Sequence, residues 1–291
     1  LYKRLSLLNK TINNKYRILE KIGNGSFGAI YKGQNIRTNE EVAVKMEPID
    51  AAMRMIKHEA IIYQYLLNTK GIPTIKWFGK DRENTHYYMV LTLLGDSLQT
   101  IKDRQPAGFR FSATDTAKIG IQLISLLKTV HEKGLIHRDI KPENFMFASN
   151  VASQSDKLSS QLYIIDFGFC RPYVEGTQHI PQKKNSALIG SQMYASINAH
   201  NCIELSRRDD MESIGYILLY FYLGELPWKR IDCDKTDVNA RIIQMKRAIV
   251  PKSQNKQWIP SFLIDYFNSI RNLPFEARPD YDYLINLLDK L

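Results

Sequence analysis

The sequence predicts an α+β chain of two unequal parts: a small β-rich N-terminal lobe with one main helix, then a larger, mainly helical C-terminal lobe. Three observations predict it. Through the first third of the chain, β-branched and aromatic residues alternate in short runs punctuated by Gly-rich and Thr-Asn turns. After Gly95 that pattern gives way to long segments with apolar residues at helical spacing. There is no internal repeat, and 291 residues suffice for two packed lobes in one domain.

The elements follow in order. YRILEKIG (16–23), AIYKGQNI (29–36) and EEVAVKME (40–47) read as strands, and AAMRMIKHEAIIYQYLL (51–67) as the one helix of the small lobe. TIKWFGK (74–80) and HYYMVLTL (86–93) are two further strands, closing a lobe of about 16–92, with a hinge at Thr92–Asp96. The large lobe, 97–291, is predicted to hold helices at 114–134, 212–224, 238–249, 259–270 and 280–291. Thr114 and Asp280 are the expected N-caps, Gly134 and Gly224 the expected stops. ASNVASQSDKLSSQ (148–161) is Ser/Asn-rich with few large apolar groups, which predicts a mobile surface loop tolerated as an insertion.

A hydrophobic share of 44% and a charged share of 24% exclude a disordered or fibrous chain. Forty Lys+Arg against 30 Asp+Glu give a net charge of +10, which suits a nucleotide, a phosphoprotein, an acidic peptide or nucleic acid, or a merely solvated surface. Nucleic acid rests on charge alone and is not expected as a specific partner. Cys170, Cys202 and Cys233 share no metal-ligand spacing, and their odd number favours a reducing, intracellular compartment, cytoplasmic or nuclear. The longest apolar run, IGYILLYFYLG (214–224), is too short to span a bilayer and reads as a buried helix. LYKRLSLLNKTINNKY has no secretory signal pattern, and the missing initiator Met suggests a trimmed chain, which leaves a removed targeting segment open. A monomer is expected.

Four stretches carry chemistry. IGNGSFGAIYKG (22–33) contains Gly23-x-Gly25-x-x-Gly28, a weak signal by itself. A dinucleotide fingerprint would open a helix, whereas here Ala29–Gln34 reads as a second strand, so the glycines join a hairpin and suit a flap over nucleotide phosphates. VAVK (42–45) ends in Lys45, which a carboxylate such as Glu59 on the next helix would hold against phosphate oxygens. HRDIKPENF (137–145) offers a carboxylate to accept a hydroxyl proton (Asp139), a cation to offset phosphoryl charge (Lys141) and an amide oxygen suited to Mg²⁺ (Asn144). YIIDFGF (163–169) is an apolar strand ending in Asp166, a second hard oxygen donor.

In this order, GxGxxG, VAVK, a helical Glu, HRDxKxxN and DFG resemble the eukaryotic protein kinase set over about residues 16–291. Lys141, two residues after Asp139, resembles the Ser/Thr form of the loop. YASINAHNCIELSRRDDMESIGYILLYFYLGELPW (194–228), with Ser-Ile-Asn where most kinases have Ala-Pro-Glu, resembles the casein kinase I family; so do LLGDSL (93–98), QHIPQKKN (178–185) and RPDYDYL (278–284). The resemblance implies a bilobal kinase fold and ATP- and Mg²⁺-dependent phosphorylation of Ser/Thr in acidic or phosphorylated protein substrates. It implies a phosphate flap of Gly23, Asn24, Gly25, Ser26, Phe27, Gly28 and Ala29, and an adenine slot of Ile22, Ile30, Ala43, Leu91, Met146 and Ile165, with hinge backbone at Leu93–Leu94. Lys45, itself held by Glu59, would contact phosphate oxygens, Asp166 and Asn144 would hold Mg²⁺, and Asp210 would brace the catalytic loop backbone. Because every catalytic polar group is present, an inactive kinase-fold scaffold is the second reading.

The neutral strip ALIGSQMYASIN (187–198) departs from the family, which commonly reads Gly-Thr-Ala-Arg-Tyr-Ala-Ser-Ile-Asn: its arginine is Met193 here. The basic stretch after Leu-Pro-Trp is likewise diluted, as KRIDCDKTDVNAR (229–241). A thioether cannot make the forked bonds of a guanidinium to phosphate, so phospho-primed substrates are expected to be favoured less, with Lys183, Lys184, Arg207 or Arg230 as substitutes. Arg138 could receive an activation-segment phosphate on Thr177, Ser186 or Ser191, but the family resemblance implies constitutive activity, which is the expectation.

Overall fold

The alternating runs of the first ninety residues form one antiparallel sheet. Its strands are β1 (Thr11–Ile12), β2 (Tyr16–Gly25), β3 (Gly28–Asn35), β4 (Glu41–Pro48), β5 (Ile75–Lys80) and β6 (His86–Thr92), in the order β1-β2-β3-β4-β6-β5. The computed structural model describes residues 8–25, 28–81, 83, 85–149, 158, 160–185, 187–231, 238–250 and 259–291. Most of the 148–161 loop and residues 232–237 of the diluted basic stretch, Cys233 among them, lie outside these.

Two compact units are distinguished. The first is Leu1–Asp96 together with Met146–Val151 and Tyr163–Gly168; the second holds the rest. In the first unit, Ile18, Val42, Val44, Tyr88 and Val90 on one face of the sheet are fully buried and form its core with Tyr16, Tyr31 and Met46. Helix α1 (Met55–Tyr65) begins a turn later than the apolar spacing from Ala51 predicts. No side chain at its own N-terminus caps it; the buried Glu47 of β4 accepts the Ile56 N–H at 3.1 Å instead. Strands β7 (Leu94–Ser97), β9 (Phe145–Ala148) and β10 (Leu162–Ile164) pair in the order β10-β9-β7.

The second unit is helical: α2 (Leu98–Asp103), α3 (Ala113–Glu132), α4 (Ile197–His200), α5 (Arg207–Leu223), α6 (Val238–Arg247), α7 (Ser261–Arg271) and α8 (Tyr281–Asp289). Two ribbons accompany them, β8 (Leu135–Ile136) with β11 (Arg171–Pro172) and β12 (Val174–Glu175) with β13 (Gln178–His179). The short α2 carries no long apolar period and is not predicted. The cap of α3 is Ser112, whose Oγ accepts the Asp115 N–H at 3.0 Å; the expected cap, Thr114, already lies inside the helix. Asp280 caps α8 as expected, and Gly224 ends α5 in the left-handed region. Helix α5 starts five residues before the predicted start at 212, because Asp209 turns back to accept the Ser206 N–H at 2.8 Å. Buried on every face from Asp209 to Phe221, it is the axis on which α3 and α7 pack. Among the described residues no helix is long and apolar enough to cross a membrane.

Candidate active site

The first unit carries the nucleotide-type residues. Gly25 pairs with Gly28, so the glycine motif lies across the β2–β3 hairpin and opens no helix. Ser26 and Phe27 lie outside the described residues. Gly28 is required for space: a Cβ there would run into the Met46 carbonyl oxygen. Ile30 stands opposite Lys45, and Ala43 opposite Leu91. Directly opposed residues share a side, as does every second residue along a strand, so Ile30, Lys45, Ala43 and Leu91 occupy one face, with the core on the other. Ala29 alternates to the core face and packs there, leaving only its backbone for a flap role. Ile22 and Asn24 are exposed, while Gly23 pairs with Ile30. Leu93, Leu94, Met146 and Ile165 belong to the same unit, Leu94 on β7 and Met146 on the adjacent β9.

Lys45 joins two carboxylates. Its Nζ lies 2.6 Å from Glu59 Oε2 and 3.2 Å from Asp166 Oδ1, with lysine and glutamate both buried. Burial alone would lower the lysine's pKa, but Glu59 and Asp166 outweigh it and raise it above the ordinary value, which keeps the ammonium charged. Burial pushes Glu59 up to about 7, opposed by Lys45 and assisted by Asp166. Asp166 has φ of 64°, a conformation costly for a non-glycine residue and typical of working sites. Tyr63 supports it: its hydroxyl accepts the Asp166 N–H at 3.2 Å, and its ring meets Phe167 edge-on at 5.1 Å. Tyr63 was not singled out in the sequence, yet its place one helical turn after Glu59 on α1 was the available signal.

In the second unit, Asp139 is buried and multiply held. Its Oδ2 accepts Lys141 Nζ at 2.6 Å, its Oδ1 accepts the Ser191 N–H at 2.8 Å, and its carbonyl accepts Asn144 Nδ2 at 2.8 Å. That last bond uses the amide nitrogen of Asn144 and fixes its side chain. Asp210 braces the loop as expected, accepting the backbone N–H of His137 at 2.7 Å and of Arg138 at 2.8 Å. Burial favours protonation of Asp210, but bonds from His131 and His137 prevail and hold its carboxyl below the usual range. An ionised carboxylate only accepts, so His131 Nε2 carries the proton donated to Asp210 at 3.0 Å, and Nδ1 accepts the Tyr281 hydroxyl at 2.8 Å.

The strip after the catalytic loop is tied from below. Gly190, at φ 87°, passes so close to Arg138 that a Cβ would strike its carbonyl oxygen. Ser196 Oγ and Asn198 Nδ2 both donate to Asp209 Oδ1, at 2.7 and 3.0 Å, which gives the Ser-Ile-Asn signature its physical anchor. Asp209 was missed in the sequence, although Ser206-x-x-Asp209 is a helix-start pattern. Of the four basic substitutes for the missing arginine, Arg207 stacks on Tyr173 at 4.4 Å and donates to the Glu276 carbonyl at 2.5 Å. Arg230 pairs with Glu225 at 3.1 Å. Lys183 is exposed, its Nζ 4.0 Å from Glu204, and Lys184 is exposed. The buried Glu204 also faces Arg171 at 3.3 Å and Arg138 at 4.0 Å. Met193 is half-buried, and its carbonyl accepts Trp228 Nε1 at 2.8 Å. Ser186 lies outside the described residues.

No three His, Cys, Asp or Glu side chains converge as a metal cage among the described residues. A carboxylate and an amide oxygen, such as Asp166 and Asn144 each offer, are hard donors of the kind Mg²⁺ takes. Compared with known families, residues 16–286 match the family model described as the protein kinase domain.

Proposed function

The chain belongs to the protein kinase family, and we propose that it is an ATP- and Mg²⁺-dependent Ser/Thr kinase of casein kinase I type acting on acidic protein substrates. The observation that carries the reading is the Lys45–Glu59–Asp166 cluster, a buried ammonium fixed between two carboxylates on the face that also presents Ile30, Ala43 and Leu91. Burying one cation with two carboxylates is costly for stability alone and is understandable where a lysine must be pre-aimed at phosphate oxygens.

In this reading each residue has one task. Lys45 binds α/β-phosphate oxygens and Glu59 keeps it there. Asp139 orients the substrate hydroxyl and takes its proton, while Lys141 offsets charge on the transferred phosphoryl group. Asp166 and Asn144 would hold Mg²⁺, which when bound would supply positive charge to offset that of the phosphates. Arg138, the candidate phosphate receiver, already has Glu204 nearby, which supports activity without activation-segment phosphorylation. Met193 supports weakened preference for phospho-primed sites, and with Arg207 and Arg230 engaged elsewhere, Lys183 and Lys184 are the better substitutes.

The test is phosphate transfer from labelled ATP with Mg²⁺ to a peptide array with phosphoserine, Asp or Ala three positions before the target. Asp139→Asn should lower transfer at least 100-fold, in the range expected for losing a general base. Equal inertness of wild type and variant, with ATP still bound, would instead support the inactive scaffold.

A further inference from the structure

Lys246, on α6, is completely buried, and its Nζ meets no carboxylate at ion-pair distance among the described residues. Its contacts are acceptors: the Ala195 carbonyl at 2.7 Å, the Gln192 carbonyl at 3.2 Å and His200 Nε2 at 2.9 Å. His200 Nδ1 donates to Asn239 Oδ1 at 2.5 Å, which leaves Nε2 as an acceptor and matches the three acceptors to the three protons of an ammonium. The rings of Tyr216 and Trp228 lie 4.5 and 5.1 Å from the same nitrogen and add cation–π attraction. Burial lowers the Lys246 pKa well below its ordinary value, and an apolar residue would fill this space without that cost, so the amine calls for a purpose beyond packing.

What it holds is the neutral strip. Lys246 takes the carbonyls of Gln192 and Ala195, and Trp228 takes that of Met193 between them. The strip closes on itself through the Ser191 carbonyl, which accepts the N–H groups of Tyr194 at 3.0 Å and Ala195 at 2.8 Å. The N–H of that same Ser191 donates to Asp139 Oδ1. We propose that Lys246 is a positioning residue for phosphoryl transfer: by fixing the 192–195 carbonyls it aims the Ser191 N–H at Asp139 and so sets the orientation of the proton acceptor. This rests on the kinase reading above. It assigns the strip's neutrality a role, since its backbone carbonyls, not its side chains, take up the buried lysine's donors.

Lys246→Met keeps an unbranched apolar chain and removes all three donors. In the folded variant kcat should fall roughly 10- to 100-fold, the scale of a misplaced catalytic group, while KM for ATP stays within about two-fold. Amide hydrogen exchange at Ser191–Ala195 should quicken in the same variant, a readout independent of transfer. Trp228→Phe, which keeps a ring but loses the bond to Met193, should give a smaller fall in kcat and faster exchange over the same residues. It decides the matter if Lys246→Met fails to fold. Wild-type kcat and exchange in the folded variants would overturn the proposal, as would a kcat loss matched by an equal change in KM for ATP. Faster exchange in a chain whose wild type transfers no phosphate would sink the kinase reading while leaving the strip's anchoring intact.

Discussion

At the residue scale, several buried ionisable side chains have been moved from their ordinary pKa values, in opposing directions. Burial, then the charge of Lys246, lowers His200 to about 4, and burial also lowers His131. As pH falls below the ordinary histidine value, the unfolded chain takes up protons at these rings before the fold does, so the fold loses stability. Asp209, raised by burial to about 6, and Glu59, raised to about 7, act oppositely: the fold takes their protons first and gains stability as pH falls. A single variant separates these contributions. Between about pH 7 and pH 5, His200→Gln should gain about 1 to 2 kcal/mol relative to wild type, from denaturant melts at both pH values. A pH-independent difference would show that His200 titrates normally. Such residues also mark how far the sequence can be read. Lys45, Asp139, Asn144 and Asp166 stand in short ordered motifs, whereas Lys246 and Glu204 acquire meaning only from partners dozens of residues away.

At the element scale, strands β2 to β6 and helices such as α3 and α8 are legible because their apolar periods express burial on one side, and α5, buried on every face, because of its continuous apolar run. Their ends are less so, since ends depend on individual hydrogen bonds. The start of α3 is the clearest instance: Ser112 and Thr114 are both plausible caps, and only Ser112 has its oxygen on the Asp115 N–H. Ser112→Ala should therefore cost about 1 kcal/mol of stability by thermal melt, and Thr114→Ala distinctly less. Equal costs would mean that the cap bond contributes nothing. Helices α1 and α5 start where Glu47 and Asp209 supply acceptors, one of them from a different element altogether. The short α2 has too few residues to show a period.

At the scale of the whole molecule, a net charge of +10 and exposed Lys183 and Lys184 give the chain a field that attracts acidic peptides. Raising salt from about 50 to 300 mM should raise KM for an acidic peptide several-fold, with a much smaller effect on an uncharged analogue. Parallel responses would remove electrostatics as a basis of substrate choice. The composition gave the sign of this field but no target, because charge carries no geometry.

The first unit is not continuous in the chain: Met146–Val151 and Tyr163–Gly168 return to it from the sequence of the second. During synthesis, residues 1–96 therefore emerge without Asp166, the second carboxylate on Lys45, or Phe167, the ring against Tyr63. Roughly ten further seconds of translation separate the two at ordinary rates. A gene fragment ending at residue 96 thus holds every strand of the six-stranded sheet, yet leaves Lys45 with one carboxylate and Tyr63 without its ring partner until the later sequence leaves the ribosome.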